Sequence, residues 1–175
     1  MTLDQQIQVW NVIGTWLAGV ATFAAVVVSL RLARKADSIQ LQTNAGVRLV
    51  FAGDGTPAEE HVGISAVNRG DRPVTINSIG WRIGRGKSAR HCIQPVYGQY
   101  THQYPKQLAH GDQASFLVSF TAMPDWPKDF ATGFVQDLRS RNPKTLRAVI
   151  HTSVGEPIEV VPENNLLVRL RKAAG

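Results

Sequence analysis

Between Trp81 and His91 the chain reads WRIGRGKSARH, with Arg82, Arg85, Lys87 and Arg90 around a Gly-Arg-Gly turn and no acid among them. The three tyrosines of the chain follow closely, at Tyr97, Tyr100 and Tyr104 in QPVYGQYTHQYPKQ. Guanidinium and ammonium groups pair with phosphates and aromatic rings stack on bases, so this combination is what a nucleotide or single-stranded oligonucleotide site requires. The same charge suits an anionic membrane surface, which has no use for tyrosines. A solvated loop whose tyrosines cover one end of a β-domain uses the same residues.

Other chemistry is poorly supplied. GRGK at Gly84 to Lys87 is too short for a phosphate-binding P-loop, even with Ser88 after the lysine. The histidines at 61, 91, 102, 110 and 151 lack metal-ligand spacing, and adjacent His91 and Cys92 would point to opposite faces of a strand. Asp54, Glu59, Glu60 and Asp112 form no catalytic pair, and Cys92 has no base beside it in the sequence. The residues therefore predict a protein that is not an enzyme, with no catalytic residue, metal or cofactor.

The net charge of +6 comes from 19 Lys and Arg against 13 Asp and Glu. Arg69 to Lys106 alone carries seven cations against one acid, Asp71, so this segment equals the whole excess. Such charge favours a polyanionic partner. One cysteine in 175 residues makes no internal disulfide, which fits a reducing compartment.

The elements that must position these residues fall into two parts. Val9 to Leu30, VWNVIGTWLAGVATFAAVVVSL, holds 22 residues without a charge. As a helix it covers about 33 Å, enough to cross a bilayer. MTLDQQIQ lacks the positive start of a cleavable signal, whereas Arg31, Arg34 and Lys35 follow the apolar run. The positive-inside rule then predicts an inner-membrane span with residues 1–8 outside and the rest in the cytoplasm. Within the span, Asn11, Thr15, Ala18, Thr22, Ala25 and Ser29 alternate at spacings of four and three. That repeat puts one polar, small-residue seam on a single helix face, as in the axis of a parallel bundle. A homo-oligomer is expected, its axis either dry or lining a water-filled path.

Residues 31–45 keep a helical composition and are read as a juxtamembrane helical linker, stopped by Asn44 and Gly46. From 46 onward the period becomes alternating. Strands are predicted at Val47–Ala52, Val62–Asn68, Val74–Ile83, Ala114–Thr121, Leu146–Thr152 and Ile158–Val161, with NRGDRP as a tight connection. Six short strands in 46–175 predict a mainly β domain, an antiparallel immunoglobulin-like sandwich without the paired cysteines, with Trp81 in its core. A short amphipathic helix is expected over Asp125–Arg139 and a helical turn or two over Glu163–Lys172.

A charge-free span, the basic stop RLARK, then VNRGDRPVTINSIGW and LRAVIHTSVGEP, resemble bacterial membrane-anchored proteins with an immunoglobulin-like cytosolic domain. The architecture is similar to that of phage-defence membrane effectors of the Hailong type, whose family role is an oligomeric channel gated by oligodeoxyadenylate. The resemblance implies an antiviral effector in which a cytosolic domain senses an anionic nucleotide signal made by a partner enzyme, while the spans permeabilise the inner membrane. It is architectural, and no family site maps onto individual residues. From another class comes a membrane-anchored interaction module or accessory subunit that binds a protein through an exposed edge strand and conducts nothing.

Overall fold

Thirty-five residues without proline, Leu3–Asp37, form one helix, α1. Asp4 in its first turn and Arg34 and Lys35 in its last complement the helix dipole. The computed structural model describes residues 3–51, 53, 55, 57–121, 123–135 and 145–174, and divides into two units, Met1–Ser38 and Ile39–Gly175. α1 is long and apolar enough to cross a membrane, and none of its apolar window is buried. Trp16, Leu17 and Phe23 are 70–74% exposed, an arrangement that water would penalise and lipid would not.

The second unit is built from strands β1 (Leu41–Val50), β2 (Glu59–Asn68), β3 (Val74–Ile83), β4 (Arg90–Ile93), β5 (Lys106–Leu108), β6 (Gln113–Ser119), β7 (Arg147–Thr152) and β8 (Ile158–Val160). They form two antiparallel sheets. One has the order β1-β2-β6 and the other β4-β3-β7-β8, with β5 also on β3. Ile76 and Gly80 of β3 each pair with β7, while β5 takes Ile76 and β4 takes Gly80 on the other side, so β4 and β5 share one edge of β3 in tandem. Gly80 is required at that edge, because a Cβ there would lie 2.3 Å from the Cys92 carbonyl oxygen.

Inward-facing Val62, Ile64, Phe116 and Val118 of the first sheet and Ile76, Trp81, Ile83 and Ile150 of the second belong to one apolar cluster. Trp81, 1% exposed, is the core tryptophan that the sequence predicts. Phe130 packs edge-on to it at 5.2 Å and stacks on Trp126 at 4.7 Å. These rings come from a single α-turn, α2 (Trp126–Asp129), which continues as a π-helical turn over Phe130–Phe134. The expected helix over Asp125–Arg139 is therefore shorter and mixed, and its last residues lie outside the described ones. Helix α3 (Asn164–Ala173) matches the predicted terminal turns and buries Leu166 and Leu170 completely.

The linker expectation is corrected. Helix α1 stops at Asp37, and residues 41–45 are strand rather than helix. The helix-tolerant composition of LQTN is overridden by pairing: Leu41 lies opposite Asn68, Thr43 opposite Ala66, and Ala45 opposite Ile64 with no exposed surface. Strands β4 and β5 are also absent from the sequence expectation. Both are three or four residues long, too short for a period to declare itself. The NRGDRP connection is tight as expected. Its geometry is held by Asn68, whose amide donates to the Arg72 and Leu108 carbonyls at 2.9 and 3.1 Å and accepts from Gly70 N–H at 3.0 Å.

Candidate functional site

The basic stretch is the hairpin between β3 and β4. Gly84 and Gly86 take φ of +91° and +57°, values that a side chain would strain, and a 3-10 turn over Gly86–Ser88 closes the loop. Ser88 Oγ donates back to the Arg85 carbonyl at 2.9 Å. Arg85 and Lys87 stand exposed at the tip. Arg82 and Arg90 are committed further in. Arg82 donates to Glu159 Oε2 at 2.8 Å, and Arg90 lies 5.7 Å over the Phe134 ring with a 3.4 Å contact to the Gly133 carbonyl. Across the sheet, Arg82 faces His91 on one side and Arg147 on the other, so the three make a basic row on the face opposite Trp81. Arg147 is a cation that the sequence reading missed, because only strand pairing brings it beside Arg82.

The tyrosines do not join this surface as a group. Tyr104 is structural: its hydroxyl donates to the Gln94 carbonyl at 2.8 Å, its ring sits 6.0 Å from Phe116, and burial pushes its phenol up from the ordinary value, with Tyr97 adding to the rise. Tyr97 and Tyr100 are exposed and line a cavity of about 300 Å³ with Glu59, His61, Leu117 and Ser119. None of Arg82, Arg85, Lys87 and Arg90 lines that cavity. The expected combination of phosphate clamp and stacking rings is thus divided between two places. Glu59, His61 and Ser119 could not have been associated with the tyrosines from sequence, since they lie about 40 residues upstream and 20 downstream of them.

Cys92 is half-buried opposite Trp81, and burial pushes its thiol up, against the smaller opposing effects of a Trp81 backbone hydrogen bond and the Arg90 charge. A raised thiol is a poor nucleophile at neutral pH. Among the described residues no three His, Cys, Asp or Glu side chains gather as a metal site.

The seam predicted for the span lies on α1. Thr15 Oγ1 donates to the Asn11 carbonyl and Thr22 Oγ1 to the Ala18 carbonyl, both at 2.8 Å, so two of its hydroxyls are satisfied within the helix. Asn11, Ala18, Ala25 and Ser29 complete the same face by spacing.

No family model matches the chain, and no curated protein matches it. Among solved structures, a Bordetella pertussis protein called ApaA is 18% identical, over 71% of this chain and 89% of its own, with a TM-score of 0.33. A second structural-genomics protein is 9% identical, over 73% of this chain and 84% of its own, with a TM-score of 0.28. Likenesses at this level carry no argument about what the chain does.

Proposed function

We propose that this chain is a self-associating, single-pass protein of the bacterial inner membrane, with a cytoplasmic immunoglobulin-like domain that binds an anionic nucleotide or oligonucleotide and a helix bundle that permeabilises the bilayer, an antiviral effector. One observation carries the reading: none of the apolar window of α1 is buried, and its sequence is apolar around most of the helix and polar on one stripe with a 3.5-residue repeat. Among the described residues α1 is the one helix of spanning length, so further copies of the chain would supply the cover for such a stripe.

The finer fold assignment rests on strand order. The reading is supported by taking β1, β2 and β6 as A, B and E, and β4, β3, β7 and β8 as C′, C, F and G, with β5 an additional strand on the edge of C. The anion-binding part is supported by the hairpin, where Arg85 and Lys87 project beyond the row His91, Arg82 and Arg147. A docking module that works through an edge of the three-stranded sheet is less well supported, because side chains already bond both of its edge strands. Val47 N–H donates to Asn165 Oδ1 at 3.1 Å beside β1, and Leu117 N–H donates to Thr101 Oγ1 at 2.9 Å beside β6.

The test is a pair of double variants of the full chain in detergent and in vesicles. Thr15→Leu with Thr22→Leu should change the oligomer size found by cross-linking and reduce dye leakage. Val20→Leu with Val27→Leu, away from the seam, should change neither. Equal effects from both pairs, or a monomer throughout, would sink the proposal.

A further inference from the structure

The two tyrosines outside the basic hairpin line a cavity into which neither lysine nor arginine reaches. In the β2–β6 pair, His61 lies opposite Ser119 and Gly63 opposite Leu117. Since Val62, Ile64, Phe116 and Val118 face the core, alternation places Glu59, His61, Leu117 and Ser119 on the outer face of that sheet. A residue on an outer face ordinarily meets water, yet His61 is only 4% exposed. Segment 97–102 runs beside this face: Thr101 accepts from Leu117 N–H, and His102 N–H donates to the Ser115 carbonyl at 3.0 Å, which lays it along the outer edge of β6. The cavity of about 300 Å³ lies between this segment and the sheet. That is the low end of ligand pockets, suited to a small head group.

Its fixed charge is a carboxylate: Glu59 lines the cavity beside His61, the one lining side chain able to carry positive charge, and neither lysine nor arginine lines it. Ser119 Oγ donates weakly to Glu59 Oε2 at 3.4 Å and His61 Nε2 lies 4.0 Å from it, while the Glu59 side chain stays 47% exposed. Tyr97 and Tyr100 are 70% and 45% exposed, leaving ring surface available. Aromatic faces carry the negative end of the ring quadrupole, and beside a carboxylate they attract cations and repel phosphates. We infer that this cavity binds an organic cation, an alkylated ammonium or a guanidinium, held by Glu59 against the rings of Tyr97 and Tyr100. The cation can belong to a free small molecule or to a lysine or arginine side chain of a polypeptide. The assignment goes beyond the membrane reading and does not depend on it.

The experiment is equilibrium dialysis of the full chain in an uncharged maltoside detergent, with labelled tetramethylammonium in one arm and a short arginine-containing peptide in the other. Saturable binding is expected in at least one arm. A tighter peptide arm identifies a polypeptide side chain as the source, and a tighter alkylammonium arm a free cation. Glu59→Gln should weaken binding about tenfold or more, and Tyr97→Leu and Tyr100→Leu about three- to thirtyfold each, while Tyr97→Phe keeps most of it. Thermal unfolding of each variant reports whether it folds. If Glu59→Gln does not, the variants at exposed Tyr97 still decide. No saturable binding in either arm, or wild-type affinity in both Glu59→Gln and Tyr97→Leu, overturns the assignment. So does adenylate binding that vanishes in Tyr97→Leu without any alkylammonium binding, which would return the rings to base stacking.

Discussion

Gln94 shows how much one buried amide can decide. It is 4% exposed, and its Oε1 accepts from Trp81 Nε1 at 3.2 Å and from Trp126 Nε1 at 3.0 Å. An indole N–H only donates, so the amide oxygen must face both rings and the Nε2 must turn to the Pro95 carbonyl, which it reaches at 3.0 Å. Gln94→Met fills similar space but strands two buried donors. It should cost about 2–4 kcal/mol in denaturant unfolding, whereas a surface change such as Gln99→Met should cost almost nothing. Glu163 gives a residue-level prediction with a sign. Its hydrogen bonds with Arg48 hold the carboxyl below the ordinary 4.5, against a smaller desolvation that raises it. A depressed carboxyl contributes stability that is present above its unfolded value and is lost as pH falls through the lower folded one. The pair is more than a third exposed, so the contribution after screening is about 1 kcal/mol or less. Glu163→Gln should therefore be slightly less stable than the parent at pH 7, and the gap should close as pH drops below about 4.5. A gap that widens in acid would contradict the pairing.

At the scale of elements, α3 is the clasp of the second unit. Glu163 N–H donates to the Ala45 carbonyl at 2.8 Å, Asn165 meets β1 at Val47, and Leu166 and Leu170 sink into the core with no exposed surface. Leu170→Ala should cost about 2–5 kcal/mol, the usual range for a fully buried leucine. Val168→Ala, on the 43% exposed side, should cost far less. Thermal melts of the two variants compare these directly. β1 carries a practical corollary. A soluble fragment that begins at Gly46 discards half of the strand, including buried Ala45, so a fragment that begins at Ile39 should melt at a higher temperature.

For the whole molecule, the proposed topology follows from Arg31, Arg34 and Lys35 after the apolar run against Asp4 before it. A reporter fused after Gly175 should be active in the cytoplasm, and periplasmic activity would invert the orientation. Anion recognition makes a second prediction at this scale. Binding of short oligonucleotides by the full chain should fall with salt, because each phosphate neutralised on a single strand adds about 0.7 to the slope of log K against log salt. Arg85→Gln with Lys87→Gln should lower that slope by about 1.4. A slope unchanged by the double variant would remove the hairpin tip from the site.

Sequence alone determined what depends on local pattern. The apolar run needs no neighbour to make it a helix of spanning length, since every backbone group bonds within it. Runs of β-forming residues bounded by turn residues located β2, β3, β6, β7, β8 and the second half of β1, and the glycines of GRGK located the hairpin. Tertiary structure decided what depends on pairing. The edge of β2 made residues 41–45 strand, and the edge of β3 gave order to β4 and β5, which are too short to stand alone. Pairing also redistributed the chemistry. Seven charged or aromatic residues close in sequence were expected to act together, but a strand sends alternate side chains to opposite faces, and the segment after β4 crosses to the other sheet. Arg82 was thereby placed with Arg147 and Glu159, Tyr104 was spent on the core, and Tyr97 and Tyr100 met Glu59 and His61. Spacing along the chain holds no record of such meetings, because contact between sheets is set by register and by the path of the connecting segments.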